Sequence, residues 1–242
     1  MYRREARTAR SLPPAVPAPR LLWSDTLTDG WVALLFEHVA GPHPGRPWAL
    51  ADLEQVLDAV TAVNTALTPS PTADVPRLTE FWAQLHTGWR TIAADPSLAA
   101  RLTSWAREHL DQLIDAETRW NADGPSLVHG DLSADNVLLT NRGVVFLDWS
   151  NATVGAGWTD IVELLLTAAG DGLDVDRLLA RSPLTAALPP DPVTRHLTAL
   201  SGFMTLSALS PPDPDMPGVH AERQSRSAAG LAWLEERLAA TD

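Results

Sequence analysis

The sequence predicts an α+β chain, with a short helix and a β-hairpin in front of a mainly helical remainder that a second hairpin interrupts. Three observations predict it. The run WVALLFEHV (31–39) reads as a buried strand. From about residue 49 apolar side chains recur at helical spacing. Between 126 and 149, the short apolar runs SLVH, NVLLT and GVVFLDW break that periodicity. Composition agrees: 242 residues, 45% hydrophobic and 20% charged, are ordinary for a chain that buries a core.

Residues 2–12 read as a helix closed by Pro13 and Pro14, because proline cannot continue a helix and pushes its predecessor towards extended geometry. A linker runs into a strand at 20–24. Thr28-Asp29-Gly30 turns the chain into the strand at 31–39. Gly41, Pro42, Pro44 and Gly45 form a breaker cluster and mark a boundary. Leu50, Leu53, Val56, Leu57, Val60 and Val63 share one helix face. Residues 68–76 are a loop. Helices are expected near 77–93, 97–120, 158–169, 173–181, 191–209 and 218–240. The ten tryptophans are scattered through these elements, which suits core packing better than a base-stacking platform.

Several function classes drop out. Net charge is −12, with 30 acidic residues against 18 basic ones, so general nucleic-acid binding is disfavoured and cationic partners are weakly favoured. The absence of cysteine excludes disulfides, zinc-thiolate sites and cysteine nucleophiles, and suits a reducing cytoplasm. All 18 basic residues are arginine, so a Walker loop, which needs lysine, is impossible. No apolar run approaches the ~18 residues of a membrane helix. Arg3-Arg4 lacks the apolar segment that a twin-arginine signal requires.

The informative stretch is LVHGDLSADNVLLTNRGVVFLDWSNATVGAGWTD (127–160). Val137–Thr140 and Val144–Leu147 are joined by Asn141-Arg142-Gly143, a hairpin signal. Symmetric pairing about Arg142 sets Asn136 opposite Asp148, and a bulge at Gly143 would shift that register. Paired side chains lie ~4.5–5.5 Å apart at Cβ, so an amide oxygen and a carboxylate would sit together at the open end. Asp131 lies five residues before Asn136, in a loop tied to the same end. Few, hard, solvent-open oxygen ligands suit Mg²⁺ carried with phosphate. Taken singly, each of these residues is also an ordinary turn former. A metallohydrolase beginning at His129 would need further ligands, and no other histidine forms a ligand pair.

His129-Gly130-Asp131-Leu132-Ser133-Ala134-Asp135-Asn136, followed by Asp148-Trp149 after a short strand and by Gly157-Trp158-Thr159-Asp160 before a helix, resembles the aminoglycoside phosphotransferase family, small-molecule relatives of the protein kinases. The resemblance implies a protein-kinase-like α+β fold, with a truncated remnant of the small β lobe at 1–38 and a mainly helical large lobe at 39–242. It implies transfer of the γ-phosphoryl of ATP or GTP, with Mg²⁺, to a hydroxyl of a small molecule. It makes Asp131 the catalytic base, Asn136 and Asp148 the metal ligands, and His129 and Asp160 structural supports of the loop. Phe36-Glu37-His38-Val39 resembles the hinge whose backbone meets adenine, at Glu37 and Val39. Leu138 would floor that pocket, with Leu147 near the phosphates. Asp213 and Asp215 are candidates for an ammonium group on the acceptor.

Tyr2-Arg3-Arg4-Glu5-Ala6 resembles the helix whose glutamate pairs with a phosphate-gripping lysine. These 242 residues hold no lysine and no counterpart of the family's leading strands and phosphate-covering loop. The arginines at 3, 4 and 7 are the cationic substitutes on the same helix. Weak Mg-ATP binding and slow turnover are therefore expected, and a non-catalytic, pseudokinase-like binding protein is the competing class.

Overall fold

The computed structural model describes residues 2–212 and 217–239; Asp213 and Asp215 lie outside the described residues. The chain opens with helix α1 (Tyr2–Ser11). Strands β1 (Leu21–Thr26) and β2 (Val32–Phe36) pair antiparallel, Ser24 facing Leu34 and Thr26 facing Val32. Helix α2 (Leu50–Ala66) buries Leu53, Val56, Leu57, Val60 and Val63, the face that the periodicity marks, each worth roughly 1.5–3 kcal/mol. Short helices follow: α3 (Leu78–Phe81), α4 (Gly88–Ala94), α5 (Pro96–Ala99), α6 (Ser104–Glu108) and α7 (Leu110–Thr118). Four strands come next, β3 (Ser126–Val128), β4 (Val137–Thr140), β5 (Gly143–Phe146) and β6 (Thr153–Gly155). Helices α8 (Thr159–Ala168), α9 (Val175–Arg181), α10 (Pro190–Leu209) and α11 (Pro217–Ala239) complete the chain.

The described residues pack as two compact units, one within Met1–Phe81, Asp123–Leu164 and Asp176–Ala186, the other within Trp82–Ala122, Leu165–Val175 and Ala187–Asp242. The first holds the three two-stranded sheets, β1–β2, β3–β6 and β4–β5. Hairpin β4–β5 is flanked on both edges by extended chain. The N–H of Leu139 donates to Pro42 O at 2.8 Å, and that of Phe146 to Pro17 O at 2.8 Å.

In the second unit, Trp89 and Trp233 are fully buried, and the Trp89 indole N–H donates to Thr198 O at 2.9 Å. Here the continuous helices expected at 77–93 and 97–120 are broken into pieces, and the causes are local. The buried Glu117 carboxylate accepts the N–H groups of Trp89 (2.9 Å) and Arg90 (3.3 Å), so it satisfies the orphan donors of a helix that restarts at Gly88. Asp95 and Thr103 likewise cap α5 and α6, accepting from Ser97 N and Ala106 N.

Strand β2 departs from the buried strand expected at 31–39. It stops at Phe36, and Trp31 is 70% and Leu35 54% exposed. The helix α1 packs against this hairpin, but a sheet of two strands has little else to cover it. Trp23 and Trp31 are thus surface residues, whereas Trp48, Trp89, Trp120, Trp149 and Trp233 are core, as expected.

Candidate active site

Strand β3 delivers the chain into His129-Gly130-Asp131. Gly130 turns it there with φ +74°, a backbone region that costs a residue with a Cβ about 1–2 kcal/mol. Asp160, at the start of α8, holds this turn: its carboxylate accepts the N–H of His129 at 2.9 Å and of Gly130 at 3.0 Å. Burial pushes the Asp160 pKa up, opposed by His129 and by the two N–H groups it accepts. The His129 ring Nε2 bonds Leu147 O at 2.7 Å, and the ring leans on Trp149 with centroids 4.9 Å apart. Both residues occupy the supporting positions expected of them.

The register of hairpin β4–β5 corrects the symmetric pairing. Thr140 faces Gly143 and Val137 faces Phe146, so Asn141 and Arg142 alone form the turn. Asn136 then meets Leu147, whose N–H donates to Asn136 O at 2.9 Å, rather than Asp148. Gly143, at φ +116°, absorbs the shift, and Thr140 Oγ1 locks the turn by donating to Gly143 O at 2.7 Å. Asp148 falls one residue beyond the ladder in the left-handed region, φ 55° and ψ 70°, a conformation that a non-glycine residue adopts at a cost of order 1–3 kcal/mol. Its carboxylate accepts Ser150 N–H at 3.2 Å.

The three oxygen-bearing residues remain at one end of the hairpin. Asn136 Nδ2 donates to Asp131 O at 2.8 Å, which turns the amide oxygen Oδ1 away from that carbonyl. A cavity of about 270 Å³, just under the ~300–1,000 Å³ usual for ligand pockets, is lined by Asp148 but by neither Asp131 nor Asn136. Glu37, His38, Val39, Leu138 and Leu147 line it, and Asp148 and Glu5 add carboxylates. Every predicted nucleotide-side residue thus borders one cavity. The Glu5 pKa is pushed up to about 7, first by burial and then by the charge of Asp148. Among the described residues there is no group of three or more His, Asp or Glu side chains placed to hold a metal by themselves.

Arg4 does not take the lysine's place. Its Nε donates to Ser150 O at 2.6 Å, its Nη2 to Asn151 Oδ1 at 3.3 Å, and its guanidinium lies 3.9 Å from the Phe81 ring centroid. Arg3 and Arg7 are exposed. Asn151, which the sequence did not single out, donates from Nδ2 to Asp131 Oδ2 at 3.2 Å.

A family model described as "Phosphotransferase enzyme family" matches residues 2–191. The chain belongs to the phosphotransferase enzyme family. The motif residues from His129 to Asp160 all fall within that match. No curated protein sequence matches. Solved structures share the phosphotransferase fold at low identity. A thermostable mutant of aminoglycoside phosphotransferase APH(4)-Ia, in a complex with ADP and hygromycin B, is 14% identical with a TM-score of 0.63, over 96% of this chain and 81% of that one. The GDP complex of aminoglycoside 2'-phosphotransferase-IIIa is 18% identical with a TM-score of 0.63, over 99% and 83%. A choline/ethanolamine kinase family protein from Mesorhizobium loti is 16% identical with a TM-score of 0.59, over 96% and 83%. The fold is therefore protein-kinase-like α+β, and as a family member the chain is a phosphotransferase by kind.

Proposed function

We propose that this phosphotransferase moves the γ-phosphoryl of ATP or GTP to a hydroxyl of a small molecule, with Asp131 as base. The observation that carries the reading is that Asn136 bonds the Asp131 backbone at the end of the hairpin whose Asp148 lines a largely apolar cavity. The residues fit a Mg-nucleotide. Leu138 and Leu147 offer an apolar surface for a purine. The Glu37 N–H is taken by Arg20 O at 3.0 Å, so adenine or guanine would meet the hinge at the Glu37 carbonyl and the Val39 N–H. Asn136 Oδ1 and the Asp148 carboxylate are two hard oxygen donors, and phosphate oxygens and water would complete an octahedral Mg²⁺ shell. When bound, the ion neutralises charge on the phosphates. On this reading residues 1–38 form the nucleotide-side lobe and 39–242 carry the loop and the metal ligands.

The chemistry then falls to Asp131. The acceptor oxygen bonds to the γ-phosphorus and its proton passes to the Asp131 carboxylate. The bond from that phosphorus to the bridging oxygen breaks, and a nucleoside diphosphate leaves. Asn151 and Asn136 hold the aspartate by its side chain and its backbone, which limits what must reorganise as the acceptor arrives.

The acceptor class follows from kinship. Structures of this fold are complexes with hygromycin B, or with amicoumacin, and one is a choline/ethanolamine kinase family protein. Aminated hydroxyl compounds are therefore the first acceptors to test, and the acidic chain favours them. The test incubates the protein with labelled ATP or GTP, Mg²⁺ and a panel of aminoglycosides, amino alcohols and sugars. Transfer of label that Asp131→Asn abolishes is the expected result. A competing non-catalytic reading rests on Glu5, which no lysine can pair with in these 242 residues. Mg-nucleotide binding by calorimetry, without transfer to any acceptor or to water, would favour it.

A further inference from the structure

We infer that Asn151 is a positioning residue for the base Asp131 and that Arg4 sets its orientation, so that helix α1 reports to the catalytic loop through a single amide. The inference rests on the phosphotransferase reading above. Four contacts carry it. Asn151 Nδ2 lies 3.2 Å from Asp131 Oδ2, and Asn151 Oδ1 lies 3.3 Å from Arg4 Nη2. Arg4 is itself pinned, by its bond to Ser150 O at 2.6 Å and by the Phe81 ring 3.9 Å away.

The chemistry of the three groups leaves one arrangement. A guanidinium only donates and a carboxylate only accepts. An amide between them must turn its oxygen to Arg4 and its nitrogen to Asp131, so the Arg4 contact decides which end of Asn151 meets the base. An aspartate at 151 would keep the Arg4 contact and strengthen it, but would set a carboxylate against Asp131. A leucine would meet neither partner. With Oδ2 tethered and the backbone carbonyl held by Asn136, Asp131 presents Oδ1 for the acceptor proton. Tethering matters because a misplacement of about 1 Å in a reacting group can cost of order 10²-fold in rate.

The link also gives α1 a task that does not need lysine. Glu5 borders the nucleotide cavity, and Arg4, one residue earlier, leads away from it to the base. A shift of α1 would be felt at both ends of the site.

The experiment uses the full 242-residue chain and its Asn151→Leu, Asn151→Asp, Arg4→Met and Asp131→Asn variants. Phosphate release from Mg-ATP and Mg-GTP is measured with water as acceptor, alongside KM and thermal denaturation. We expect Asn151→Leu and Asn151→Asp to lower kcat about 10- to 100-fold, with KM for the nucleotide unchanged. Asn151→Asp should keep the thermal midpoint of the wild type. Arg4→Met should lower kcat by a smaller factor, because the amide can still meet Asp131 part of the time. If Asn151→Asp turns over like the wild type while Asn151→Leu does not, Asn151 merely anchors α1 and the inference fails. It fails equally if both retain full kcat, or if KM alone rises. Wild-type release no faster than that of Asp131→Asn, with no label passed to any acceptor of the panel either, would instead overturn the phosphotransfer reading, and this inference with it.

Discussion

Asp131, Asn136 and Asp148 occupy one end of the β4–β5 hairpin with different environments, and these separate their predicted effects. Asp131 is half-buried and tethered, whereas Asp148 is exposed at the cavity and held in a left-handed conformation. Asp131→Ala is expected to lower kcat about 10²–10⁴-fold, the usual worth of a general base, while Mg-nucleotide binding persists. Asp148→Ala is expected to weaken binding of Mg²⁺ with a non-hydrolysable nucleotide, because it removes a ligand oxygen; calorimetry separates the two. Asp160 has a structural task. Asp160→Ala leaves two buried N–H groups unpaired, at about 1–3 kcal/mol each, and urea denaturation should register a loss of that order.

At the scale of elements, the two hairpins behave differently. The turn of β4–β5 depends on Gly143 at φ +116°, where an added Cβ meets open space. Gly143→Ala therefore costs strain without a clash, about 1–2 kcal/mol, read as a fall in the denaturation midpoint. Hairpin β1–β2 leaves Leu22, Trp23, Trp31 and Leu35 each 48–70% exposed, an amount of apolar surface that proteins usually limit. Trp31→Thr and Leu35→Thr together should lower the fluorescence of a bound hydrophobic dye and leave the thermal midpoint nearly unchanged. A large fall in that midpoint would show that this surface is covered in solution.

At the scale of the whole molecule, one fully buried histidine of the helical unit makes stability depend on pH. His196 is fully buried, its Nδ1 accepts the Trp120 indole N–H at 2.9 Å, and desolvation lowers its pKa from 6.5 to about 3. The folded chain keeps this ring neutral, while the unfolded chain takes up a proton below pH 6.5. Stability from this group is thus complete above pH 6.5 and is lost as pH falls towards 3, at about 1.4 kcal/mol per unit, or about 2 kcal/mol by pH 5. His196→Gln should flatten that part of the stability curve, measured by urea denaturation between pH 5 and 7.5. An equal slope in both proteins would place the acid sensitivity elsewhere. None of the described helices is long and apolar enough to cross a membrane.

By itself the sequence determined the α+β class and the buried face of α2, and it singled out Asp131, Asn136, Asp148 and Asp160 as candidates. Those signals are local: apolar spacing within one helix, and polar residues at fixed distances along one loop and strand. Tertiary structure alone decided the rest. The register of β4–β5 turned on where Gly143 would place its positive φ, and both a two- and a three-residue turn fit the letters. The breaks in the helices after 77 came from a buried carboxylate, Glu117, that caps a helix 27–28 residues away. The exposure of β2 depended on how many strands share its sheet. The tie from Arg4 through Asn151 to Asp131 spans 147 residues in its first step and 20 in its second, and no spacing encodes it. Hydrogen bonds between such distant side chains exist only after the backbone has brought them together, so only the folded chain reveals them.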